Sequence, residues 1–264
     1  MRSRIRPLPP HASPGVHPAG AAMVRRAVGL SLALVLHPVA AAASDGARPA
    51  PGSPATGAVS VAERDGKLAN FHHEPASSEV RHVAHWVADS GDNGGMPYMI
   101  VDKVNARVFV FDAGGDLQGV EPALLGMVRG DSTATGIGDL KLAAIRPQDR
   151  TTPAGRFVAS LDRDLKGREI LWIDYDDALA LHRVAKGQPS ERRQQRLESA
   201  TSDDNRISYG CINVPVSFYE KVVSPAFTGT GGIVYILPEM STAREFFGSY
   251  DVAVDAEVVA PPPR

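Results

Sequence analysis

Cys211 is the only cysteine among 264 residues and sits in the run Arg206-Ile207-Ser208-Tyr209-Gly210-Cys211-Ile212-Asn213-Val214-Pro215. A single thiol cannot pair within its own chain, so it is a buried small hydrophobe, a link to a second chain, or a nucleophile. Core cysteines keep apolar company; Ser208, Gly210 and Asn213 around this one favour the nucleophile. A thiol becomes reactive when a nearby imidazole or the free amides of a helix N-terminus favour its thiolate. Both are expected here. Pro215 suits the first turn of a helix, which places Cys211 about one turn ahead of it, and His182 closes the apolar run Leu179-Ala180-Leu181, a strand from which an inward imidazole reaches the sulfur. Gly210 permits close backbone approach, and the consecutive amides of Tyr209, Gly210 and Cys211 are candidate donors to a carbonyl oxygen becoming an anion.

Other chemistry-bearing residues carry less. His72-His73-Glu74 and the pair His82 and His85 invite a zinc reading, but no second ligand pair stands at a recognised spacing, so they read as surface histidines and no metal is expected. Gly130 to Asp139 is glycine-containing without the Gly-Lys-Ser/Thr ending of a phosphate loop. Trp86 and Trp172 read as packing residues.

The elements that must hold Cys211 and His182 are mostly strands. Ser77-Ser78 ahead of Val80, Val83, Ala84 and Val87 gives the spacing of an amphipathic helix, which Gly91 to Gly95 break. The period then changes to two: strands are predicted over 98–101, 107–111, 117–128, 156–161, 170–173, 179–184 and 233–237, separated by Gly, Pro and Asp. A helix is predicted from Pro215 to its stop at Pro225, and another from Ser241 to Phe247.

With 43% hydrophobic residues the chain can bury one full core. A net charge of −2 offers no positive field for nucleic acid or anionic lipid. Ala27 to Ala43 is apolar, follows Arg25-Arg26 and ends in small residues, the pattern of an export signal, with Met23 as a possible true start. His37-Pro38 interrupt it and it is short for a bilayer span of roughly 20 residues, so no stable membrane span is expected after cleavage. The expected organisation is a signal region over 1–43, a flexible leader over 44–76, a helix and glycine turn over 77–96, a catalytic domain over 97–240, and a helix with a Pro-rich mobile tail over 241–264.

The order, histidine first and cysteine later, is opposite to that of papain-like peptidases. Ser208-Tyr209-Gly210-Cys211-Ile212-Asn213 resembles instead the signature of the L,D-transpeptidase (YkuD-type) catalytic family. Thr152-Pro153-Ala154-Gly155-Arg156-Phe157 is similar to that family's Thr-Pro-x-Gly-x-Phe element, and Gly138-Asp139-Leu140-Lys141 to the region ahead of it. The resemblance covers 97–238 and implies a mainly β (α+β) fold, a mixed β-sheet sandwich with a few short helices.

It further implies an exported or periplasmic enzyme acting on peptidoglycan stem peptides without cofactor. Cys211 would attack the carbonyl after the third residue of a stem tetrapeptide, His182 would take the thiol proton, and the thioester would pass to an amine. Ser208 and Gly210 would shape the turn, while Tyr209, Asn213, Arg183 and Arg206 would contact substrate. The chain departs from the pattern: Tyr209 stands where many members have His, Asn213 where many have Arg, and Arg183-Val184 follow the histidine in place of Gly-Thr. Residues 186–205 read as an insertion whose Arg192, Arg193 and Arg196 form either a solvated face or a carboxylate-binding replacement for the missing Arg. A carboxypeptidase or amidase on the same scaffold, and a non-catalytic wall-binding module, remain as alternatives. The resemblance also implies acylation by carbapenems.

Overall fold

The computed structural model describes residues 66–253. The export signal read at 27–43, the start at Met23, the leader before residue 66 and the tail at 260–264 lie outside them. Helix α1, Ser78–Ser90, starts where Ser77 Oγ accepts the Val80 N–H at 3.3 Å and stops at Gly91, φ 69°, whose N–H returns to Val87 O at 3.0 Å. A left-handed cap of this kind favours glycine, because a Cβ there is strained. Val80, Val83 and Val87 on its inner stripe are fully buried, and removing each from water contributes on the order of 1.5–3 kcal/mol.

The chain then forms β1 (Tyr98–Asp102), β2 (Arg107–Phe111), β3 (Leu117–Pro122), β4 (Leu125–Gly126), β5 (Gly155–Arg163), β6 (Glu169–Asp174), β7 (Leu179–Arg183), α2 (Arg193–Leu197), β8 (Arg206–Ser208), β9 (Ile212–Val214), α3 (Val216–Phe218), α4 (Ser224–Phe227), β10 (Gly232–Ile236) and α5 (Ala243–Phe247). Eight strands make one mixed sheet in the order β3-β2-β1-β10-β5-β6-β7-β9, with β4 and β8 paired in a small parallel sheet. The pairs β1–β10 and β7–β9 are parallel and the other neighbours antiparallel. The expected mixed β architecture with a few short helices is the one observed.

Strand alternation divides the buried residues into two cores. Tyr98 and Ile100 of β1, Phe109 and Phe111 of β2 and Tyr235 of β10 pack with the α1 valines. Met99, Val108 and Val110 point to the other face, where they meet Leu171 of β6, Leu181 of β7, Ile212 of β9 and the helical residues Phe218, Tyr219 and Phe227. Strands from both ends of the sheet therefore share one core, which is how a single sheet becomes a sandwich. Leu124 and Asn213 exchange backbone bonds of 2.8 and 2.9 Å, tying the region after β3 to β9.

Three local expectations are corrected. The single strand predicted over 117–128 is broken between β3 and β4, because the Ala123 N–H turns to Ala106 O and Leu124 pairs with Asn213 before β4 joins β8. The helix after Pro215 does not end at Pro225: it widens into a π turn over Tyr219–Val223 and continues as α4, with Pro225 in its first turn. Pro225 has no N–H to donate, and it stands directly after the π turn, where the i to i−4 pattern is already broken. Residues 66–76, expected to be part of the flexible leader, are docked, since Phe71 packs edge-on against Phe111 at 5.4 Å and Asn70 bonds the Gly115 and Leu117 backbone. The last helix starts from a capping box at Thr242 and Glu245.

Candidate active site

His182 owes its position to strand alternation. Leu179 and Leu181 of β7 face the core, so Ala180 and His182 face the opposite way, into a cleft of about 680 Å³ that Cys211 also lines. Parallel pairing places His182 beside Asn213 and Leu181 beside Ile212, which brings Cys211, immediately before β9, alongside the strand that carries the histidine. Cys211 and His182 therefore line the same cleft.

The imidazole is oriented by backbone. His182 Nδ1 lies 2.8 Å from Arg183 O; a carbonyl only accepts, so Nδ1 carries the hydrogen and Nε2 is left as the basic nitrogen. Burial holds the His182 pKa below its usual range, partly opposed by that hydrogen bond. The ring is thus neutral at neutral pH and able to take a proton. Burial pushes the Cys211 thiol up, against the N–H groups of Ala180 and Cys211 itself. In this structure the thiol donates to Ala178 O at 3.5 Å. The resting pair is a neutral thiol with a neutral imidazole, an arrangement that needs general-base help at the moment of attack rather than a standing ion pair.

Three supports hold the cysteine turn. Ser208 Oγ accepts the Gly210 N–H at 3.1 Å, and Gly210 has φ 135° with Thr151 O only 2.9 Å from where a Cβ would be. Fully buried Thr152 donates from Oγ1 to Gly210 O at 2.7 Å and accepts the Gly126 N–H at 2.8 Å. Asn213 Nδ2 donates to Cys211 O at 3.1 Å while its Oδ1 accepts Arg193 Nη1 at 3.0 Å.

Behind Thr152 lies a buried ionic strut. Lys103 Nζ donates to Gly130 O at 2.6 Å, Asp131 Oδ1 at 2.8 Å and Thr152 O at 3.0 Å. Burial lowers the Lys103 pKa even though Asp131 opposes it. Burial alone would raise the Asp131 carboxyl, but Lys103 and the amides of Glu239 and Met240 outweigh it and hold Asp131 below the usual carboxylate range. Lys103 and Asp131 escaped the sequence reading, because a lysine after one strand and an aspartate in a glycine loop carry no spacing that joins them.

Several expected substrate contacts are placed elsewhere. Arg206 is buried against Glu239 and Lys103 O, on the strut side, so it is not a free cation at the cleft. Asn213 is buried and committed to Cys211 and Arg193, which makes it a support rather than a contact. Tyr209 lies under the Arg150 guanidinium, 3.8 Å from its ring centroid, outside the cleft lining. Arg183 does line the cleft, but its guanidinium is held over Tyr219 at 4.1 Å and by Glu220 at 3.1 Å. Strand β9 intervenes between Cys211 and the helix, so no helix N-terminus immediately follows the sulfur. The Gly210 amide, expected to face an oxyanion, is taken by Ser208.

Gly138–Lys141 forms an exposed turn against Asp176 rather than part of the cleft. Trp172 lines the cleft and stacks on Tyr175 at 4.7 Å, whereas Trp86 is core. The paired histidines separate: His82 contacts Ser249 and Asp251, and His85 Nδ1 accepts the Ala69 N–H. Among the described residues no three of His, Cys, Asp or Glu converge as metal ligands, and no described helix is long and apolar enough to cross a membrane.

A thiol and an imidazole line one cleft, and the imidazole is fixed by a backbone carbonyl. No protein-family model matches the chain, and no curated protein matches it. Solved structures similar to it include the catalytic domain of an Enterococcus faecium L,D-transpeptidase, at 20% identity over 53% of this chain and 95% of that one, TM-score 0.32. The L,D-transpeptidases of Mycobacterium smegmatis (14% identity, 53% of this chain and 58% of that one, TM-score 0.33) and Stackebrandtia nassauensis (14%, 61% and 67%, TM-score 0.33) are similar to the same degree. At such TM-scores the likeness decides nothing about activity, and what the cleft can do follows from its own residues.

Proposed function

We propose that this chain is an exported, cysteine-dependent L,D-transpeptidase of peptidoglycan. The observation that carries the reading is that Cys211 and His182 line one cleft, with Nδ1 of the imidazole committed to Arg183 O and Nε2 left for the thiol proton. The ordered motifs around Thr152 and Cys211 and the export signal read at 27–43 supply the substrate class and compartment.

In this mechanism a stem tetrapeptide lies in the cleft and the sulfur leaves Ala178 O for the imidazole. Nε2 accepts the S–H proton as Sγ adds to the carbonyl after the third residue. Collapse of the tetrahedral adduct breaks the amide bond; the proton passes from the imidazolium to the leaving amine, and D-alanine departs. An amine of a second stem then adds to the thioester, giving its proton to His182, and thiol leaves as the new amide forms. Water in place of the amine gives a carboxypeptidase.

Incubation of the purified protein with a stem tetrapeptide, followed by intact-mass spectrometry, tests the reading. The expected result is an acyl adduct or released D-alanine that depends on Cys211, and a crosslinked product when an amine acceptor is added. Hydrolysis alone would make the protein a carboxypeptidase. Peptide binding without any Cys211-dependent chemistry would reduce it to a wall-binding module.

A further inference from the structure

Residues 186–205 are not a loose solvated loop. Gly187, φ 58°, packs so tightly on Glu191 and Arg193 that a Cβ would meet them at 2.1 and 2.7 Å. Glu191 Oε2 accepts the Gln188 N–H at 3.1 Å, Arg196 bonds Glu191 O and Asp204 O, and Leu197 is buried. Arg193 anchors the whole segment on Asn213, the residue that holds Cys211 O. The insertion thus forms a wall beside Cys211, and it lines a second, open cavity of about 430 Å³. That cavity shares Val184, Ala185, Lys186 and Val216 with the Cys211 cleft.

The charges of this annex sort cleanly. Arg193 is spent on Glu191, at 2.8 Å, and Asn213, and Arg196 on the Glu191 and Asp204 carbonyls. Lys186 and Arg192 line the second cavity, are exposed, and have no partner among the described residues. Arg192 is held at φ 45° between the turn Pro189–Glu191 and α2, a left-handed conformation that strains a residue other than glycine. On the cleft side Lys166 is also unpaired, whereas Asp164 and Glu169 face Arg168 and Arg183. The connected cavities therefore present free positive charge and no free negative charge.

We propose that the insertion forms a carboxylate-binding annex in which Lys186 and Arg192 receive the terminal carboxylate of a peptide lying in the Cys211 cleft. That the peptide is a peptidoglycan stem rests on the preceding reading; the preference for a carboxylate does not. Asn213 seats the wall that carries these cations through its bond to Arg193.

The test uses the full chain carrying Cys211→Ala, which cannot react, titrated by NMR with N-acetyl-alanyl-alanine and with its C-terminal amide. Exposed charge pairs are individually modest, so the free acid should bind about 3- to 10-fold more tightly than the amide at low salt. Raising salt should close the gap, and adding Lys186→Gln and Arg192→Gln, at exposed side chains without partners, should abolish it. Equal binding of acid and amide, failure of both to bind at millimolar concentration, or a preference that survives the double substitution overturns the annex. Acylation is scored separately on the unsubstituted chain: an inert Cys211 with an intact carboxylate preference removes the acyl-transfer reading alone, and acylation without the preference removes the annex alone.

Discussion

Replacing Thr152 by valine should separate the support of the nucleophile from the nucleophile itself. The two side chains are nearly equal in volume, but valine cannot accept the Gly126 N–H at 2.8 Å or donate to Gly210 O at 2.7 Å. Thr152, Gly126 and Gly210 are all buried, so water cannot replace either bond. Each buried group left without a partner costs about 1–3 kcal/mol, which puts the destabilisation at roughly 2–4 kcal/mol after partial relaxation. For a folded unit of this size about 1 kcal/mol corresponds to 2–4 °C, so the melting temperature should fall by roughly 4–16 °C.

The chemical effect is separate from the loss of stability. Gly210 O belongs to the peptide group that leads into Cys211, and a displacement of about 1 Å in a reacting group can cost on the order of 100-fold in rate. Acylation by a carbapenem, followed by mass spectrometry well below the melting temperature, should slow by about 10- to 100-fold. Thr152→Ser keeps the hydroxyl and should recover most of the rate while losing only the stability of one methyl group. A valine variant that acylates at the unaltered rate would refute the idea that Thr152 positions the nucleophile, whatever its melting temperature.

Lys103→Met should be destabilising by about 3–5 kcal/mol in urea unfolding, because it strands the largely buried Asp131 carboxylate; a loss below about 1 kcal/mol would contradict the strut. Acylation by a neutral electrophile should hold steady as pH is lowered to 6.5 and decline only below it, since burial keeps His182 neutral past the usual histidine range; a decline already complete at pH 6.5 would show a raised imidazole pKa instead. Alkylation of Cys211 by iodoacetamide should be slow at pH 7 and climb above the usual thiol range, following the elevated thiol pKa. His82, His85 and His182 all have pKa values lowered chiefly by burial, so below pH 6.5 the unfolded chain binds more protons than the folded one. Their contribution to stability is present above 6.5 and lost on acidification, and the melting temperature should fall between pH 7.5 and 5.5; an unchanged or rising value would count against that sign.

Local signals fixed what they physically control. Ser77, the valine stripe and Gly91 delimit α1 because capping and helical periodicity act over a few residues, and short apolar runs bounded by turn residues marked β1, β2 and β7 for the same reason. Strands β8 and β9, three residues each on either side of Gly210, were invisible to periodicity at that length. The Cys–His pair was readable from residue type, order and flanking motif. Its surroundings were not: Asn213, Arg206 and Tyr209 were assigned to substrate by their nearness in sequence to Cys211, yet the fold turns them to Arg193, Glu239 and Arg150.

By itself, then, the amino-acid sequence singled out Cys211 and His182 as candidates and determined the strand-rich framework, since those depend on residue chemistry and short-range pattern. The tertiary structure alone decided which cations stay free and which are consumed. Lys103, Arg193 and Arg206 end in bonds to partners tens of residues away, while Lys186 and Arg192 keep their charge open to the second cavity. The reason is that desolvation and pairing are set by what the folded chain brings within a few ångströms, and no spacing along the chain records that distance.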